Sequence, residues 1–201
     1  MTLSYEKIGQ GPPILVLPGL LGSASNWRTI AQKLATQYTL YLVDHRNHGR
    51  SFHTQSMDYA AMAEDVRTLI IQQALVAPIL IGHSMGGKVA MTLAQMYPAS
   101  LSKLIVVDIA PRAYDMTKMV HLLQILQATP LQGVRTRATV EEYLCTHIPS
   151  PLLRTYCMKN LHRNTEGMLV WGSNIPIIAA CIPNLEQRIV LHTPFIKPTL
   201  F

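Results

Sequence analysis

Four short apolar runs recur in the first half of the chain: Ile14-Leu15-Val16-Leu17, Leu40-Tyr41-Leu42-Val43, Ile79-Leu80-Ile81 and Leu104-Ile105-Val106-Val107. Each is continuous rather than alternating, the pattern of a strand covered on both faces in a parallel sheet. The segments between them carry helical period. Trp27, Ile30, Ala31 and Leu34 stand at i, i+3, i+4 and i+7. Met62, Val66, Leu69 and Ile70 repeat a one-sided stripe, as do Val89, Leu93, Ala94 and Tyr97 before Pro98 stops the helix. Strand and helix alternate three times, which predicts an open α/β sheet with right-handed crossovers.

After Asp108 the pattern changes. Residues 111–192 give mainly helical signals, among them Met116, Met119, Val120, Leu123 and Leu126 behind the candidate N-cap Asp115. Prolines 130, 149, 151, 176 and 183 divide the region into short pieces. We therefore expect a core over residues 1–110 and an inserted helical lid over 111–192. Residues 193–201 then open another buried core strand, in Lys197-Pro198-Thr199-Leu200-Phe201. The expected fold class is α/β, a mostly parallel sheet with helices on both faces and an inserted lid, its last core strands missing. That reading predicts a fragment of a longer gene product or a poorly stable, nearly inactive truncation.

Composition narrows the class. The 201 residues are 49% apolar and 14% charged, enough to build a core and too apolar for a disordered tail. Lys and Arg outnumber Asp and Glu by 17 to 11, but the basic residues are dispersed. Without a basic stripe interleaved with aromatics, no nucleic-acid partner is expected. Cys145, Cys157 and Cys181 have no zinc-ligand spacing and are odd in number, which fits reduced thiols in a cytoplasmic protein without a metal. Met1 to Lys7 does not read as a signal peptide. The most apolar stretch, Met168 to Ile182, is interrupted by Gly172, Asn174 and Pro176 and is too short to span a bilayer.

The chemistry is concentrated in Gly82-His83-Ser84-Met85-Gly86-Gly87, between a predicted strand and a predicted helix. A Gly-x-Ser-x-Gly pentapeptide alone is weak evidence; its place in the chain raises it. A serine on a sharp strand-to-helix bend adopts strained backbone angles, and Gly82 and Gly86 remove side chains that would collide there. The Ser84 hydroxyl would then stand at the carboxyl edge of the sheet, where open α/β folds place their ligands. The following helix offers backbone N–H groups to a developing oxyanion. The bland alternative is a structural serine in a Gly-rich turn. Pro18-Gly19-Leu20-Leu21-Gly22 follows the first strand, where a hydrolase of this design places its second oxyanion donor. We assign that donor to Leu20 N–H, paired with Met85 N–H, against the alternative of a plain Pro-Gly turn.

With these motifs in view, the chain resembles the α/β-hydrolase superfamily, and within it the small esterases of the ybfF type. The resemblance is carried by Pro18-Gly19-Leu20, the stretch Asp44-His45-Arg46-Asn47-His48-Gly49-Arg50-Ser51, the elbow around Ser84, and Val107-Asp108-Ile109-Ala110-Pro111. Asn160-Leu161-His162-Arg163, Leu169-Val170-Trp171 and Asn174-Ile175-Pro176 are similar as well. One departure is Pro18, where relatives usually have His. The resemblance implies Asp108 as the triad acid or as part of an extended site; a carboxylate that caps a loop or pairs with Arg112 is the alternative. Asp44 and Arg46 read as a loop-fixing pair, with Ser51 supporting the same turn.

The mechanism needs a histidine. His53 aside, His83 should point away from Ser84, His45 and His48 lie on the loop after the second apolar run, and His121, His147 and His162 sit on lid elements, where a satisfied or surface histidine is the bland account. His192 satisfies the chain order Ser, Asp, His only formally, because it precedes the next strand. The resemblance puts the general base beyond the final strand, past Phe201. The expected activity is hydrolysis of a carboxylic ester or thioester of modest acyl length through an acyl-enzyme on Ser84, with no cofactor. Its partner is that small-molecule substrate, and the lid, rich in Met and Leu, would shape the acyl pocket. Two alternatives stand beside it: a carbon–carbon lyase on the same scaffold, as in menaquinone biosynthesis, and a non-catalytic relative that binds a small molecule or a partner protein.

Overall fold

All four apolar runs become strands of one sheet in the computed structural model, which describes residues 1–190, 192 and 194–201. They are β2 (Pro13–Leu17), β3 (Thr39–Val43), β4 (Ile79–His83) and β5 (Lys103–Val107), preceded by β1 (Tyr5–Gly9). With β8 (Thr199–Leu200) they form a six-stranded sheet in the order β1-β3-β2-β4-β5-β8. Every pairing is parallel except β1 with β3. The period-2 side-chain alternation of a strand sorts the runs onto two faces. Ile14, Val16, Leu40 and Leu42 pack against Ala31 of α1 (Arg28–Leu34). Leu15, Leu17, Tyr41 and Val43 face the larger core, with α2 (Tyr59–Gln72) and α3 (Met85–Met96). Leu15, Leu17 and Leu42 are fully enclosed, each contributing about 2 kcal/mol of transfer free energy.

Between β5 and β8 the chain forms α4 (Thr117–Ala128), α5 (Arg137–His147), α6 (Pro151–Lys159), a hairpin of β6 (Leu161–Arg163) and β7 (Leu169–Trp171), and α7 (Ile175–Leu185). Helices predominate here, as the sequence indicates, but the hairpin and the edge strand β1 do not show in its pattern. Both are short and half-polar. Helix α4 begins two residues after Asp115, whose carboxylate still accepts from the Thr117 N–H at 2.8 Å. Ile30, placed inward by its spacing, is half exposed. The strand expected from Lys197 onward does pair with β5, but Leu200 and Phe201 are exposed rather than buried.

Candidate active site

The register of β4 against β5 pairs His83 with Val107, so Ser84 and Asp108 leave the carboxyl edge of the sheet side by side. Both bend sharply, at φ 52 and φ 56. Ser84 completes the bend with ψ −119 immediately before α3, and its N–H donates to the Val107 carbonyl at 2.9 Å. This conformation is strained for a residue with a Cβ, and the glycines around it make room. A Cβ at Gly82 would collide with the Gly86 carbonyl, and one at Gly86 with the carbonyls of Leu17 and Pro18. Gly19 brings the neighbouring loop close as well, though less tightly: a Cβ there would stand 3.3 Å from Ser84 Cβ.

Ser84, Met85 and Leu20 line one cavity of about 270 Å³, closed further by Tyr59, Lys88 and Met119. Met85 is the first residue of α3, so its N–H has no acceptor within the helix. Ser84, Leu20 and Met85, the three residues selected from the sequence for one site, therefore border one cavity. Asp108 does not join them. Its carboxylate is exposed rather than buried, outside the cavity wall, and makes no ion pair with Arg112 among the described residues. The Arg112 guanidinium lies over the Tyr114 ring instead.

No histidine lines the cavity among the described residues. His192 lies beside Met91 and Gln95 of α3, its N–H donating to Gln95 Oε1 at 3.1 Å. His83 packs edge-on to Trp27. His53 and His162 border a separate cleft, and His147 stacks on Tyr143. His45 and His48 are buried, His48 against the loop that carries Leu20 and Leu21. Burial pushes the His48 imidazole down to about 4, and burial together with His48 pushes His45 to about 3. Both are neutral near pH 7. His48 Nδ1–H donates to the Arg46 carbonyl, leaving Nε2 to accept from the Leu21 N–H at 3.0 Å.

Asp44 and Arg46 each fix a loop, but not as a pair. Asp44 accepts from the N–H groups of Ala24 and Arg50, at 2.7 and 3.0 Å. Arg46 forms a fork onto Asp65 at 2.6 and 2.8 Å, because the α2 carboxylate offers the geometry that a planar guanidinium needs. Ser51 supports the turn as expected, donating to the Asp44 carbonyl and accepting from Ser4 N–H.

Two features escaped the sequence reading. Lys88, one turn beyond Ser84, is buried, with its ammonium on the Gln187 carbonyl at 2.7 Å and above the rings of Tyr59 and Tyr114. Burial lowers its pKa. A lysine as the only charged residue of the helix was the available signal. Tyr156 and Asn160 reach the Leu20–Leu21 loop from more than a hundred residues away, which no local pattern announces.

A serine on a strand–helix elbow at the carboxyl edge of a mostly parallel sheet, bordering a cavity, defines the class of nucleophile-elbow α/β folds. Residues 12–162 match the family described as alpha/beta hydrolase fold, and the chain belongs to that family. It is 34% identical over 204 residues to the sn-1-specific diacylglycerol lipase ABHD11 of Xenopus tropicalis, covering 98% of this chain and 64% of that protein. It is 29% identical to Esterase YbfF of Escherichia coli, covering 86% of this chain and 66% of that protein. The chain thus spans about two thirds of the length of the curated relatives it matches. A solved structure titled marine microorganism esterase superposes with a TM-score of 0.94 at 38% identity, covering 98% of this chain and 78% of that one.

Proposed function

We propose that this chain carries the nucleophile and oxyanion hole of a serine hydrolase that cleaves carboxylic esters or thioesters. The observation that carries the reading is Ser84 at φ 52 on the elbow, opening into a cavity that Leu20 and Met85 share. Ser84 Oγ attacks the acyl carbon while a base takes its proton. The carbonyl oxygen becomes an oxyanion held by the N–H groups of Leu20 and Met85. The alcohol or thiol leaves with the proton, and water then releases the acyl group from Ser84. Asp108, free of other ion pairs among the described residues and next to Ser84 on the sheet edge, orients the imidazole of the base. That imidazole comes from outside residues 1–201, since no histidine of this chain lines the cavity among the described residues.

Residues 111–192 act as the lid, with residues 1–110 as the core and 193–201 returning to it. Tyr114, Met116 and Met119 from this region line the Ser84 cavity. Its volume, just below the usual range for small-molecule pockets, fits a modest acyl group. The finer placing is with the YbfF-type esterases, supported by the motifs shared along the chain. Three free cysteines support a cytoplasmic setting.

The test is hydrolysis of nitrophenyl esters of increasing acyl length by the natural full-length chain. We expect turnover of short and medium chains and a loss of at least about 10³-fold in Ser84→Ala. Undiminished turnover in Ser84→Ala would contradict the assignment.

A further inference from the structure

The loop that carries Leu20 is held against its own backbone preference. The Gly22 N–H donates to the Gly19 carbonyl at 2.9 Å, closing a turn with Leu20 and Leu21 at its centre. Leu21 stands at φ 62, so the turn has the type II form, whose third position ordinarily takes glycine. Flipping only the peptide between Leu20 and Leu21 would give the commoner type I form and relieve the leucine.

Both polar atoms of that peptide are taken by side chains from elsewhere. The Tyr156 hydroxyl donates to the Leu20 carbonyl at 2.7 Å, and the Leu21 N–H donates to His48 Nε2 at 3.0 Å. A flip would break both bonds in one motion. The next carbonyl, of Leu21, accepts from Asn160 Nδ2 at 2.7 Å. The holders are themselves fixed: His48 through the Arg46 carbonyl, and Asn160 Oδ1 through the Ser173 N–H at 2.8 Å. Leu20, Leu21, His48 and Asn160 are all buried, so bulk water does not stand ready to replace a lost partner. Gly22 completes the fit, since a Cβ there would stand 3.0 Å from the Tyr156 hydroxyl.

The turn sets the direction of the Leu20 N–H. The Gly19 carbonyl points inward to Gly22, and in a trans peptide the N–H across the same bond, that of Leu20, points the other way. We propose that Tyr156, Asn160 and His48 are positioning residues that anchor this turn as a unit beside Ser84, so that seating α6 on the core fixes where the Leu20 N–H stands relative to the oxyanion formed on Ser84. Residues of the inserted region thereby act on the reaction without touching substrate. The inference rests on the reading of Ser84 as nucleophile.

The test is the saturation kinetics of Ser84 labelling by a fluorophosphonate in the natural full-length chain, which separates probe affinity from the maximal rate. Tyr156→Phe removes one oxygen and is expected to lower the maximal rate about tenfold, with affinity nearly unchanged, a fraction of the loss expected for deleting a donor outright. His48→Gln keeps an acceptor within reach of Leu21 and should label faster than His48→Leu. A wild-type maximal rate in Tyr156→Phe overturns the proposal. So do equal rates in the two His48 variants, which decide the matter if Tyr156→Phe no longer melts cooperatively. Absence of Ser84 labelling in the unmutated chain would instead sink the nucleophile reading, and this inference with it.

Discussion

Backbone strain and missing side chains meet at a few residues around Ser84. The serine and Asp108 adopt left-handed φ values on neighbouring strand ends, and glycines at 19, 82 and 86 let three backbones converge on them. Gly86 shows which effect wins. In helix α3 an alanine would be favoured by about 1 kcal/mol on propensity. Its Cβ, however, would run into two backbone carbonyls that cannot rotate away. Overpacking of this kind costs about 1–3 kcal/mol or more. Gly86→Ala is therefore expected to be destabilised by about 2 kcal/mol in urea titration, despite the better helix former; a stabilised variant would show that the elbow is looser than described. This part of the site was legible in the sequence because each glycine answers a local steric demand. Leu21 was not, since nothing in its neighbours announces that partners 27 and 139 residues away hold it at a φ suited to glycine.

Elements were legible where their faces are simple. The inner strands are covered on both sides and read as unbroken apolar runs, and α2 and α3 bury one stripe each. Strand β1 has one half-exposed face and a free edge, so its residues alternate too weakly to stand out. The β6–β7 hairpin has three-residue strands, shorter than any period can reveal. Asp44 and Arg46 were legible as loop-fixing residues but not in their partners, because a sequence does not show which way a guanidinium turns. The same loop predicts a pH response. His45 and His48 hold folded pKa values of about 3 and about 4, below the ordinary 6.5. Above pH 6.5 they cost nothing. As pH falls from 6.5 towards 4, the unfolded chain takes up protons that the folded chain refuses, so stability falls. Urea midpoints measured between pH 7 and 4 should decline, and the decline should be shallower in His48→Gln. A flat profile would mean that these imidazoles are not buried and neutral.

At the scale of the whole molecule, the sheet brings the ends of β2, β4 and β5 to one edge, and the region between β5 and β8 covers that edge. Its residues do two things there. Met116 and Met119 narrow the Ser84 cavity, while Tyr156 and Asn160 grip the neighbouring loop. Cavity and Leu20 loop thus depend on the same inserted helices, so on the proposed function a change in how they seat should alter acyl-length preference and rate together. The most direct measurement is to trap the covalent intermediate: the natural full-length chain is incubated with a nitrophenyl ester of a short acid, quenched in acid, digested and weighed by mass spectrometry. The account predicts one acyl group on the peptide containing Ser84, absent in Ser84→Ala. An ester hydrolysed with no such adduct at any quench time, or with the acyl group on another residue, would contradict it.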